Sequence, residues 1–129
     1  MKVLDSDHCI AILRSYLDLR ERVSLGEILA VTSISVGELT HGAHKSARPA
    51  ENLARLDVLL AAMAILPFDE GAAHHFGRLK ADLERSGLRL SDLDLQIASI
   101  ALRYNLPLIT HNQRHFARIP GLNLEDWLI

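Results

Sequence analysis

Lys2-Val3-Leu4-Asp5-Ser6-Asp7-His8 is the stretch on which the fold assignment turns. A short apolar run stops on an acid, and a helical period follows at once. Ile10, Leu13 and Leu17 share one face of a helix expected from about His8 to Leu19. That is a strand feeding a helix, and the same alternation continues downstream. Leu29-Ala30-Val31-Thr32-Ser33-Ile34 predicts a second strand with helix from Ser35. Arg48-Pro49 separates that helix from another carrying Leu53, Leu56, Leu60 and Met63. Ala64-Ile65-Leu66-Pro67-Phe68 is expected at a sheet edge, since Pro67 has no N–H to give to a ladder. A helix from about Glu70 to Arg85 should stop at Ser86-Gly87, where glycine admits the left-handed turn of a helix end. Ser91 to Tyr104 is helical again, and Leu106-Pro107-Leu108-Ile109-Thr110 is a strand. A short turn or helix near Gln113–Phe116 and a last strand at Leu122-Asn123-Leu124 complete the chain.

Strands separated by helices favour right-handed crossovers, hence an α/β fold of three layers (α/β/α) with a mostly parallel central sheet. No linker, repeat or low-complexity tract divides residues 1–129, so one domain is expected. With 49% apolar and only 5% aromatic residues, its core should be aliphatic. No run approaches the roughly 20 apolar residues needed to span a bilayer. The acid at Asp5 interrupts any leader-like apolar run, and the single Cys9 excludes an internal disulfide framework. A cytoplasmic protein is therefore expected. A net charge of −2 argues mildly against binding nucleic acid through phosphate attraction alone, although acids gathered around a cation would mask a basic rim in that sum.

In open parallel sheets, sites form beyond the carboxyl ends of strands, where helix N-termini also point. Four oxygen-bearing side chains fall at such places. Asp5 closes the first strand, Glu38 and Asp94 lie in expected first turns of helices, and Asn112 follows the strand ending at Thr110. Brought together, three carboxylates and an amide oxygen would suit Mg²⁺ or Mn²⁺ and metal-assisted phosphodiester hydrolysis. Each also has a local explanation. Ser35-Val36-Gly37-Glu38 and Ser91-Asp92-Leu93-Asp94 both fit a capping box, Asn112 could cap a helix, and Asp5 could sit in a turn. Asp7 and Asp92 are further acids beside the set. None of His8, His41, His44, His74, His75, His111 and His115 falls into a zinc-binding pattern, and Gly42 and Gly121 mark turns or close packing. No phosphate-binding glycine loop is present.

These stretches resemble, in order, the motifs of PIN domains. Val3-Leu4-Asp5-Ser6-Asp7 is similar to the opening Leu-Asp-Thr-Asn, with Ser and Asp replacing Thr and Asn. Ser33–Ala43 resembles the second motif with Glu38 as its acid, Asp94-Leu95-Gln96-Ile97-Ala98 the third, and Leu108-Ile109-Thr110-His111-Asn112 the fourth. The likeness runs over nearly the whole chain and looks most like VapC toxins that cleave initiator tRNA in the anticodon loop. It implies a Mg²⁺- or Mn²⁺-dependent endoribonuclease acting on single-stranded RNA, homodimeric and neutralised by a VapB-type antitoxin. Asp5, Glu38 and Asp94 would bind the metal. Asn112 stands where the family carries Asp or Asn, and the Ser6 hydroxyl would hold Asp5 or a water. A basic rim of Arg48, Arg114 and Arg118 is expected to meet RNA phosphates. The apolar surplus of Leu53 to Met63 is compatible with self-association.

Two rivals remain. Asp5-Ser6-Asp7 mimics the opening of haloacid-dehalogenase-type phosphatases, but the three lysines, Lys2, Lys45 and Lys80, leave none near a late strand; a response-regulator receiver fails for the same reason. The other rival is a non-catalytic PIN-like module acting on DNA through an antitoxin complex, which intact Asp5, Glu38 and Asp94 disfavour.

Overall fold

The computed structural model describes residues 1–128. Five strands form one sheet: β1 (Lys2–Leu4), β2 (Leu29–Thr32), β3 (Ala64–Leu66), β4 (Leu108–Ile109) and β5 (Leu124–Glu125). Their order is β3-β2-β1-β4-β5, and each neighbouring pair is parallel. The helices are α1 (Ser6–Leu13), α2 (Ser33–Lys45), α3 (Pro49–Ala61), α4 (Glu70–Arg85), α5 (Asp92–Arg103) and α6 (Gln113–Phe116). Strand order runs outward from β1 in both directions, so the chain reverses its progress between β1 and β4. That is the switch point at which a crevice opens beyond the strand ends.

Alternation along the strands builds the three layers. Val3, Ala30 and Leu108 face a core formed with Leu79, Leu83, Leu95, Ile100 and Phe116 from α4, α5 and α6. Their neighbours Leu4, Leu29, Val31 and Ile109 face the opposite core, with Cys9, Leu39, Leu56 and Trp127. Both faces of the sheet are covered, which is why its strands are apolar runs. β3 lies at the edge, as Pro67 predicts, and α4 ends where expected, with Gly87 at φ 71°. Among the described residues no helix is long and apolar enough to cross a membrane.

Several boundaries differ from the sequence expectation. α1 begins at Ser6 because Asp5 is its N-cap, and it ends at Leu13 instead of reaching Leu19. Ser15 adopts φ 60°, and the Tyr16 N–H donates back to the Ala11 carbonyl at 2.8 Å, closing the helix without glycine. The helix buries His8, Cys9 and Ala11, whereas Ile10 remains 39% exposed. Leu17, Leu19 and Val23 pack separately at the margin of the core. α2 begins at Ser33, not Ser35, since Thr32 Oγ1 accepts from the Ser35 N–H at 3.1 Å. The capping box predicted at Ser35–Glu38 is therefore absent, and Glu38 stands in the second turn. β5 begins two residues later than expected and ends one later, because Leu108 and Thr110 N–H groups pair with the Asn123 and Glu125 carbonyls, both at 2.9 Å.

Candidate active site

β1 and β4 deliver their next residues side by side. The Asp5 N–H donates to the Ile109 carbonyl at 2.9 Å, extending the ladder past the last strand residue. Asp5 is only 8% exposed. One carboxylate oxygen accepts from the Ser6 N–H at 2.8 Å and the other from the Thr110 hydroxyl at 2.8 Å. Ser6, freed from capping, turns its own hydroxyl to Glu38 Oε1 at 3.1 Å. On the other side Thr110 Oγ1 accepts from the Asn112 N–H at 3.0 Å, and Asn112 Nδ2 donates to His115 Nδ1 at 2.8 Å. His115 Nδ1 lies 3.5 Å from Asp94 Oδ2. A continuous series of contacts thus joins Glu38, Ser6, Asp5, Thr110, Asn112, His115 and Asp94, four chain segments in all.

The plain local roles are partly present as well. Ser91 caps α5 by accepting from the Asp94 N–H at 3.2 Å, which uses the backbone of Asp94 and leaves its carboxylate to face His115. Asn112 occupies the N-cap position of α6 without making a side-chain cap. Asp92 pairs with Lys80 at 2.9 Å and is a surface acid outside the site.

Burial pushes the Asp5 carboxyl up from 3.8 to about 6; the Thr110 hydrogen bond opposes this, and the charges of Asp7 and Asp94 add to it. Asp7 behaves oppositely. Burial would raise it, but bonds from His8 and the His111 N–H prevail and hold it below the usual carboxylate value. Burial, reinforced by the charges of Asp7 and Asp94, therefore makes Asp5 hard to ionise, a penalty that a divalent cation would relieve. Among the described residues no three acid, histidine or cysteine side chains enclose a cation unaided. Mg²⁺ requires less, because it keeps several waters and takes one or two carboxylates. The hard oxygens of Asp5, Glu38 and Asp94 fit that ion chemically, and no thiolate competes: Cys9 is buried and its thiol is pushed to about 12, chiefly by desolvation.

Beside Ser6 and Glu38 opens a cleft of about 440 Å³ with an apolar floor including Leu39 and Leu56, and with Arg14 and Arg55 on its walls. The Arg55 guanidinium donates to the Leu13 carbonyl. The sequence pattern did not single out either arginine, because α3 meets α1 only in the fold. The expected rim is more dispersed. Arg48 pairs with Glu51 at 3.4 Å, Arg118 donates to the Arg89 carbonyl at 2.9 Å, and Arg114 is exposed on α6.

The chain belongs to the PIN-domain family, whose family model matches residues 2–122, and within it to the VapC nucleases. Several relatives cover nearly its full length. It is 36% identical to the tRNA(fMet)-specific endonuclease VapC of Salmonella typhimurium, over 97% of this chain and 96% of that protein. It is 34% identical to ribonuclease VapC2 of Rickettsia felis, again over 97% and 96%. Among solved structures, VapBC2 of Rickettsia felis bound to a promoter DNA fragment matches with a TM-score of 0.90 at 32% identity, covering 98% of both chains.

Proposed function

We propose that this chain is a Mg²⁺- or Mn²⁺-dependent endoribonuclease toxin that cuts single-stranded RNA, with a tRNA anticodon loop as its substrate. The observation that carries this reading is the contact series joining Asp5, Glu38, Asp94 and Asn112 at the sheet's switch point, with Asp5 hard to ionise. Asp5, Glu38 and Asp94 would hold the cation. Bound there, it supplies positive charge for phosphodiester oxygens and makes water easier to deprotonate. The chain's own residues set the stage for it. Thr110 and the Ser6 N–H orient Asp5, the Ser6 hydroxyl holds Glu38, and His115, held by Asn112, lies against Asp94. Arg14 and Arg55, on the cleft beside Glu38, take the flanking RNA phosphates. Arg114 and Arg118 extend that track on the far side. Together they account for RNA binding by a chain of net charge −2. Single-stranded loops fit because their backbone can bend into the site, whereas a duplex presents a rigid groove.

By likeness to the VapBC assemblies, a VapB-type antitoxin would bind this chain, and the family resemblance implies that two toxin copies would pair. Purified protein incubated with initiator tRNA, a perfect RNA duplex and each with EDTA tests the reading. Cleavage confined to the tRNA loop and lost with EDTA is expected. Equal cleavage of duplex, or cleavage that persists in EDTA, would refute it. Co-expression with a VapB-type antitoxin should suppress the loop cut.

A further inference from the structure

Behind the candidate acids lies a second polar cluster that phosphodiester hydrolysis leaves without a task. His8 is 0% exposed, yet both its ring nitrogens are engaged. Nε2 accepts from the Trp127 N–H at 3.0 Å, which leaves the ring proton on Nδ1, donated to Asp7 Oδ1 at 2.7 Å. Asp7 Oδ2 accepts from the His111 N–H at 3.0 Å. Asp126, with its side chain 6% exposed, accepts from His111 Nδ1 at 2.8 Å and from the Leu128 N–H at 2.9 Å, and lies 3.6 Å from His8 Nε2. The residues come from the start of α1, the turn after β4 and the C-terminal segment.

We propose that His8 and Asp126 are positioning residues that clamp the Thr110–Asn112 turn onto α1 and so fix Asp5 and Asn112 for reaction. The proposal rests on the nuclease reading for its consequence but not for its geometry. Thr110 is also held by the Glu125 carbonyl at 2.9 Å and by Gln113 Nε2 at 2.8 Å, but among the described residues His111, between a two-residue β4 and a four-residue α6, has polar contacts only with Asp7 and Asp126. Asp7 grips its backbone and Asp126 its side chain. The grip also directs a proton. Thr110 has one hydroxyl hydrogen and two acids within reach, Asp5 Oδ2 at 2.8 Å and Asp7 Oδ2 at 3.4 Å. His8 and the His111 N–H already satisfy Asp7, so the Thr110 hydrogen goes to Asp5. Groups that orient a metal-binding carboxylate in this way carry large effects on activity without touching substrate.

Amide hydrogen exchange of the metal-free protein and steady-state cleavage of single-stranded RNA test the clamp in Asp126→Ala, Asp126→Asn and His111→Ala. In both alanine variants, exchange at the His111 and Asn112 amides should accelerate by about tenfold or more while β1 stays protected. kcat should fall by about tenfold to a hundredfold with KM nearly unchanged. Asp126→Asn, which still accepts from Leu128 and can pair with His111, should restore most of both. His111 is 60% exposed in its side chain, so His111→Ala carries the test if Asp126→Ala does not fold. Unchanged exchange at 111 and 112 overturns the clamp, as does a kcat loss matched by the fraction unfolded. If the wild-type protein leaves RNA intact, the nuclease reading falls, and the exchange result alone still decides the clamp.

Discussion

Asp5→Asn removes the charge at the centre of the site while keeping the side chain's shape, and its effect can be worked from the contacts. The Asp5 carboxyl sits at about 6, against 3.8 in an ordinary setting, with burial the main cause. At roughly 1.4 kcal/mol per pKa unit, the ionised form costs the metal-free fold about 3 kcal/mol. The substitution must also remake two hydrogen bonds. The Asn carbonyl can accept from the Ser6 N–H, as the carboxylate does at 2.8 Å. The Asn amide would then donate to Thr110 Oγ1, whose hydroxyl must turn to Asp7 Oδ2, 3.4 Å away. Exchanging the 2.8 Å bond for that weaker one offsets about 1 kcal/mol of the gain. The variant should therefore be more stable by about 2 kcal/mol at pH 7.5 in EDTA, a Tm rise of about 5–10 °C. Because the folded pKa is raised, the Asp5 contribution to stability is complete below 3.8 and lost as pH rises through about 6. The variant should therefore lose its advantage and fall slightly below the wild type near pH 4, and gain it between there and pH 7. Mg²⁺ should then raise the Tm of the wild type and not that of the variant. Calorimetry from pH 4 to 7.5, with EDTA and with Mg²⁺, reads all of this. A variant less stable than wild type at pH 7.5 in EDTA, or a difference that ignores pH, would refute the account of Asp5 as an uncompensated buried charge.

Asp94→Asn should abolish most RNA cleavage with an unchanged melting curve, because the Ser91 cap uses only the Asp94 backbone; a wild-type rate at saturating Mg²⁺ would reduce Asp94 to a helix-start acid. Arg14→Ala and Arg55→Ala should each weaken RNA binding and lower the log–log salt slope by about one; if only Arg114→Ala does so, the phosphate track lies on the α6 side. Phe116, fully buried between α6 and the sheet, should cost about 3–5 kcal/mol when replaced by Ala, as measured by urea unfolding.

The fold class was legible because its signals are local. Apolar strand runs, helical periods, Pro67 and Gly87 each act through their own backbone or their nearest turns, and they place β3 at an edge and end α4 at Arg85. The expectation that Asp5, Glu38, Asp94 and Asn112 share a site rested on one topological regularity, that strand ends share a crevice. Helix boundaries were less legible. α1 stops at a left-handed Ser15, a position whose residue type does not announce that conformation, and Thr32 displaced Ser35 as the cap because β2 ends there.

Only the tertiary structure decided what surrounds the acids. In the sequence Asp7 is only a further acid beside Asp5, and His8 one of seven histidines outside any zinc-binding pattern. Their partners, His111 and Trp127, lie more than a hundred residues away. Arg14 and Arg55 likewise share a cleft only once α3 packs beside α1. Hydrogen bonding and charge act over a few ångströms of space, whatever the separation along the chain. Residue type and spacing therefore determined which side chains could do chemistry here, and packing determined which of them are held buried, oriented and charged to do it.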